Sequence, residues 1–224
     1  MLNYTIAEEN YIKSVYHLQQ KSERVSTNLL ADALRTQPAS VTDMMKKLLG
    51  KKLVHYKPYR GVKLSGNGKK VALQIIRKHR LWEYFLVNTL GFGWDEVHEV
   101  AEQLEHVNSK KLIEQLDNFL GHPRFDPHGD PIPDERGMMT FRERLPLLQQ
   151  PIAQLLEITA VGNESPSLLD MLKHHKIQLG SHVRILRIFE FDGSVEVVIE
   201  KSKPVIISQT LAKQLMVKWI KNGD

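Results

Sequence analysis

The chain has no cysteine, which excludes disulfides, thiolate metal ligands and a cysteine nucleophile, so any metal must be held by nitrogen and oxygen. It has no long apolar run, and a membrane-spanning helix is not expected. The opening MLNYTIAEEN is acidic and lacks the basic and apolar regions of a signal peptide, so no export is expected either. No P-loop, no dinucleotide-binding glycine pattern and no internal repeat is present. What remains is an ordinary globular composition, 42% hydrophobic and 25% charged over 224 residues, enough for one large domain or two to three small ones.

The charges are segregated. Between Met44 and Trp82 there are twelve Lys or Arg residues and no acid, whereas Asp95 to His106 carries five acids and no Lys or Arg. A basic block followed by an acidic one points to two sites with different partners, against the plain alternative of unevenly scattered surface charge.

The basic half has a readable plan. Tyr11, Ile12, Val15, Tyr16 and Leu18 recur at helical spacing, which predicts a first helix. Ser26 or Thr27 can cap a short second helix, Thr36 to Pro38 interrupts it, and a third begins near Pro38 with Val41, Met44, Met45, Leu48 and Leu49 on one stripe. Two short helices about a tight break form a helix-turn-helix. An alternating stretch around Pro58 to Gly61 predicts a hairpin from about Leu53 to Leu64, and the two together make a winged helix. In such a head the amino end of the second helix of the pair reads the major groove. Gln37, Pro38, Ala39, Ser40, Thr42 and Asp43 are therefore the candidate DNA-facing residues, with Lys46, Lys47, Arg60 and Lys63 on the phosphates.

The acidic half is ambiguous by itself. In HEVAEQLEH, His98, Glu102, Glu105 and His106 fall within an arc of about 100° if the segment is helical. An exposed acidic face has the same pattern. A second pair, His79 and Glu83, stands one helical turn apart on the preceding helix, and a short glycine-containing turn favours antiparallel packing of the two. Convergence of the two faces would demand a cation, since two carboxylates about 4 Å apart at an effective dielectric of about 20 repel by about 4 kcal/mol. Imidazole with carboxylate suits Mn, Fe, Co, Ni or Zn better than Ca or Mg. Beyond the Pro- and Gly-rich run from Gly121 to Gly137, β-branched clusters at VRILRIF, VEVVIE and PVIIS predict a small SH3-like β-barrel, with Met216 to Ile220 as its last strand.

Taken together, the Tyr11-centred helix, the winged helix, RKHRLWE, VHEVAEQLEHV, the DPHGDPIP loop and the β-rich tail resemble the diphtheria toxin repressor and manganese transport regulator family of metal-dependent repressors over essentially the whole chain. The resemblance implies a mainly α fold with small β parts. It has a winged helix-turn-helix over 1–72, a helical metal-binding and dimerisation domain over 73–150 and an SH3-like β-barrel over 151–224. It also implies a cytoplasmic homodimer that binds double-stranded operator DNA under control of Mn(II) or Fe(II), with Zn(II) as a possible ion in vitro, and that controls metal-homeostasis genes. Carried over by position, His79, Glu83 and His98 form one metal site and Glu102, Glu105 and His106 the other. Glu102 follows the manganese-sensing branch, where the iron-sensing branch has Cys. Asn10 stands where the family has Met or Asp, Lys13 where the manganese branch has Glu, and Glu164 roughly where the third domain offers an extra carboxylate. The competing expectations are a winged-helix protein whose acidic face is only structural, and a metallohydrolase with the same ligands activating water. No general base is readable for the latter.

Overall fold

Thr5 opens helix α1 (Ile6–Leu18) with a reciprocal cap, its hydroxyl accepting from the Glu8 amide while the Glu8 carboxylate accepts from the Thr5 amide. The computed structural model describes residues 4–57, 60–94, 96–141, 144–162 and 165–220. It separates into two units. One consists of Met1–Trp82, Glu102–Phe119 and Pro133–Met139, the other of Glu83–Ala101, Leu120–Ile132 and Thr140–Asp224.

In the first unit, α1 buries Tyr11, Ile12 and Val15. Helix α2 (Thr27–Ala33) starts at Ser26, whose hydroxyl accepts from the Leu29 amide. The break after it is closed by the Thr36 amide donating to the Ala31 carbonyl, with Arg35 at φ 50, a left-handed conformation that glycine adopts without cost and arginine does not. Helix α3 (Pro38–Gly50) has proline in its first turn and buries Val41, Met45 and Leu48. Strands β1 (Val54–Lys57) and β2 (Gly61–Leu64) pair antiparallel, Val54 opposite Leu64. Val25 bridges to Val62, and a side chain at Gly61 would reach within 2.6 Å of the Val25 carbonyl oxygen. These elements enclose one core, and the winged helix-turn-helix stands as the sequence pattern predicts.

Ser65 accepts from the Gly68 amide at the start of the long helix α4 (Gly66–Asn88). Helix α5 (Val97–Leu104) follows, then α6 (Lys110–Phe119), whose first turn is held by the Leu112 amide on the Ser109 hydroxyl. Arg77 of α4 ties the first unit internally, donating to the Asp117 carboxylate and the Pro133 carbonyl, both at 2.8 Å. One expectation is corrected here. The helix over HEVAEQLEH ends at Leu104, so Glu105 and His106 lie in the turn beyond it. The backbone leaves the helical path as the Glu105 side chain becomes fully buried among charged partners.

The second unit is built on a six-stranded antiparallel sheet. Its strands are β3 (Leu145–Pro146), β4 (Leu155–Val161), β5 (His182–Ile188), β6 (Val195–Ile199), β7 (Val205–Ile207) and β8 (Leu215–Trp219), in the order β3-β8-β4-β5-β6-β7. Helices α7 (Pro166–His174) and α8 (Gln209–Gln214) lie between strands in the chain. Leu156, Ile158, Val183, Ile185, Val195, Val197, Leu172 and Leu211 form the core. The sequence pattern misses four of these elements, the two-residue β3 among them, which falls where a short helical piece and linker are expected. LLEITAV is broken by Glu157 and Thr159, which hides β4, and the helices are too short for a clear 3.6-residue period. Among the described residues no helix is long and apolar enough to cross a membrane.

Candidate metal centre

Two clusters of imidazoles and carboxylates gather around α4, each within one unit. In the first unit, one ligand atom each from His79, Glu102 and Glu105 lies within 4.8 Å of the others. Helix α4 contributes His79, α5 contributes Glu102, and the turn after α5 contributes Glu105. His79 Nδ1 is 2.7 Å from Glu105 Oε2. The other oxygen of Glu105 accepts from Lys13 Nζ at 2.6 Å, and the same ammonium reaches Glu102 Oε1 at 3.0 Å. His106 Nδ1 is 2.5 Å from Glu9 Oε2, its Nε2 is 3.7 Å from Glu105 Oε1, and Lys78 Nζ is 3.8 Å from Glu9 Oε1.

Burial pushes the Glu105 carboxyl upward, but the contacts with His79 and Lys13 outweigh it and hold it below its ordinary value. Burial acts the other way on Lys78 and, against the pull of Glu9 and Glu105, lowers it. Glu9, Asn10 and Lys13 share one side of α1, within an arc of about 100°. The Asn10 Oδ1 atom is buried there and has no hydrogen-bond partner among the described residues.

In the second unit, ligand atoms of Glu83, Asp126 and His128 lie within 4.8 Å of one another, and all three residues are buried. Glu83 leaves α4 one turn beyond His79, and His98 Nδ1 approaches Glu83 Oε1 at 3.3 Å. Asp126 and His128 come from the Pro- and Gly-rich loop. Asp126 Oδ1 accepts from the His128 and Asp130 amides at 2.8 and 2.9 Å, which fixes the loop and directs the carboxylate. Gly129 sits at φ +89, where a side chain would come within 2.1 Å of the Thr159 carbonyl oxygen, so only glycine lets the loop lie this close to β4. The Val161 amide donates to the His128 carbonyl, and Trp94 meets the His128 ring edge-on with centroids 5.6 Å apart. Two carboxylates and an imidazole, with a further imidazole beside Glu83, make a donor set suited to a divalent transition ion.

The reading head presents Gln37, Pro38, Ala39, Ser40 and Asp43 to solvent at the amino end of α3, with Thr42 half-buried and its hydroxyl donating to the Pro38 carbonyl. Lys46 pairs with Asp43 at 3.2 Å and Lys63 with Glu23 at 2.7 Å, while Arg60 is exposed on the wing. Lys47 and Lys51 both reach Glu8 Oε1, at 3.1 and 2.6 Å. Burial raises the Glu8 carboxyl, but its bonds to Lys51, to the Thr5 amide and to Lys47 together bring it down to about 2.

Residues 4–62 match the iron dependent repressor N-terminal DNA binding domain, 65–134 the iron dependent repressor metal binding and dimerisation domain, and 145–218 the FeoA domain. A solved manganese-dependent transcriptional repressor in complex with manganese is 32% identical. It covers 95% of this chain and 100% of its own, with a TM-score of 0.81. The chain belongs to the diphtheria toxin repressor family of metal-dependent repressors.

Among curated members of the diphtheria toxin repressor family, the iron-dependent repressor IdeR of Mycobacterium leprae is 30% identical over 125 residues, which is 56% of this chain and 54% of that protein. The chain thus matches about half the length of that relative. The diphtheria toxin repressor of Corynebacterium efficiens is 27% identical over 191 residues, 80% of this chain and 82% of its own. Of the positions to which the family resemblance directs attention, the structure brings His79, Glu102 and Glu105 together, places His106 against Glu9 and Glu105, and sets His98 beside Glu83. Glu164 lies outside the described residues. As a single loop histidine, His128 is expected from the sequence to serve a surface or packing role, and the structure corrects this by bringing it together with Glu83 and Asp126. Asp126 escapes a search by helical spacing because it sits on the same loop, and the glycine in the DPHGD run is a local sign that backbone must approach backbone there.

Proposed function

We propose that the chain is a homodimeric cytoplasmic repressor that binds double-stranded operator DNA when it holds Mn(II) or Fe(II), and that it controls genes of metal homeostasis. The observation that carries this reading is the buried convergence of Glu83, Asp126 and His128 beneath a loop that Gly129 allows to pack. His98, adjoining Glu83, completes the donor set for one ion. Glu102, Glu105 and His106, with Asn10 as a neutral oxygen ligand, are the set for a second. The domains are assigned as 1–72 for DNA binding, 73–150 for metal binding and dimerisation, and 151–224 for the SH3-like module, in support of which stand the matched regions.

An ion held by these residues would supply the positive charge that offsets the mutual repulsion of their carboxylates. The rest is done by this chain's residues. Helix α1 meets the metal-binding segment through Glu9 and Lys13 and meets α3 through Glu8, which holds Lys47 and Lys51. The orientation of the head, with Gln37, Pro38, Ala39, Ser40, Thr42 and Asp43 leading and Lys46, Lys47, Arg60 and Lys63 flanking, is therefore coupled to the cluster through one rigid helix. Two heads of a dimer must match half-sites about 34 Å apart or a multiple of that, so a modest change in orientation alters affinity. The coupling is reciprocal, and operator DNA should tighten metal binding. The test is operator binding by the chelated protein titrated with free Mn(II), Fe(II) and Zn(II). Binding that appears with one of these ions is expected; equal binding with and without metal would sink the reading.

A further inference from the structure

We propose that Lys13 is the resident cation of the Glu102 and Glu105 cluster, a tethered ammonium that fastens α1 to the metal-binding segment in the absence of any ion and must be expelled before a divalent ion can bind there. The inference rests on the metal-dependent reading and narrows it: one ion per chain is held tightly, at Glu83, and the second site is closed by the chain itself.

Four observations support it. The Lys13 side chain is only 12% exposed and spans two carboxylates about 90 residues away in sequence, at 2.6 and 3.0 Å. Both oxygens of Glu105 are engaged, one by Lys13 and one by His79. His106 is turned so that Nδ1 meets Glu9. Asn10, on the same side of α1, contributes a neutral amide whose oxygen is buried and unpartnered among the described residues, so this position adds no negative charge that would favour an ion over the ammonium. An ion bridging Glu102 and Glu105 would lie within a few ångströms of the ammonium in a low-dielectric setting, where like charges repel strongly. Hydrogen bonding and Coulomb attraction to Lys13 already neutralise the carboxylates that such an ion would need.

The test uses the full-length protein stripped of metal by chelation. In calorimetric titration with MnCl2, the unaltered chain takes up one ion per subunit. Lys13→Met, which keeps the aliphatic stem and removes the charge, takes up a second or binds it at least about tenfold more tightly. Lys13→Arg behaves as the unaltered chain. Equal stoichiometry and affinity in the unaltered chain and Lys13→Met, whether one ion or none, overturns the proposal. Glu83→Gln is titrated in parallel: loss of the first ion supports the underlying metal reading, and its retention counts against that reading without altering the Lys13 comparison. A second measurement needs no metal. In chelated protein Lys13→Met lowers the melting temperature, and adding Glu102→Gln recovers much of the loss; strictly additive effects of the two substitutions overturn the proposal.

Discussion

Glu105 and Glu83 are both fully buried acids, the first paired with His79 of α4 and the second a residue of α4 itself. Around Glu105 the balancing charge belongs to the chain: Lys13 lies at 2.6 Å, with His79 at 2.7 Å on the other oxygen. Around Glu83 the neighbours that define the cluster are Asp126, His128 and His98, another acid and two imidazoles. Burying an acid beside an acid is costly, and a cation or a proton must relieve it. The comparison teaches that ligand type and spacing alone do not identify a metal site. At Glu105 the fold itself supplies a cation, the Lys13 ammonium.

The largest test of that difference is substitution at each cluster. Glu83→Gln is expected to weaken Mn(II) binding by about a hundredfold, whereas Glu102→Gln should leave the first ion within about threefold, since only the former removes one of its ligands. Equal losses at both positions in a calorimetric titration would erase the distinction. Next in size, Gly129→Ala forces a side chain toward the Thr159 carbonyl and a strained φ on alanine, costing about 1–3 kcal/mol. Mn(II) affinity should fall about tenfold although no ligand is changed, with the Lys13 contacts untouched. Unaltered affinity would mean that loop placement does not govern the site.

Acid should act on the self-neutralised unit first. Glu8 titrates near 4.5 when unfolded and about 2 when folded, so its contribution is fully present above about pH 4.5 and is lost as pH falls toward 2. Glu105, also lowered on folding, acts in the same direction. Chelated protein should therefore lose stability in urea melts between about pH 5 and pH 2, and Glu8→Gln should flatten part of that slope. A slope unchanged by Glu8→Gln would remove Glu8 from the account. The smallest effect lies outside both clusters: Arg35→Gly relieves the left-handed φ of 50 in the helix-turn-helix break and should raise stability by about 1 kcal/mol, measured by denaturant midpoint. A fall would show that the arginine side chain makes a contribution larger than the strain.

The winged helix was legible because its signals are local: Ser26 as a cap, Pro38 in a first turn and the period of Val41, Met45 and Leu48. His79 and Glu83 could be picked out for the same reason, being one turn apart on a long helix. Glu105 and His106 entered the candidate set through helical spacing although they lie in a turn, so the residues were found by a geometry that does not hold. Lys13 pairing with Glu102 and Glu105 left no trace in spacing, because nothing local connects positions about 90 residues apart. Asp126 was hidden likewise, and His128 reads as a packing or surface histidine, because tertiary packing on β4 and not periodicity brings the loop pair to Glu83. In the tail, the β-branched clusters announced β5, β6 and β7, while β4 needed its neighbours in the sheet to be recognised.

The pairing of Lys47 with Glu8, Lys46 with Asp43 and Lys63 with Glu23 bears on how the operator complex should respond to ionic strength. A phosphate that captures a lysine already held by a carboxylate sheds its condensed cations, but the carboxylate left behind attracts cations in turn. Each such exchange returns part of what the DNA gives off. The slope of log affinity against log salt should therefore be shallower than the roughly 0.9 per phosphate expected of unpaired basic residues, and Glu23→Gln should steepen it.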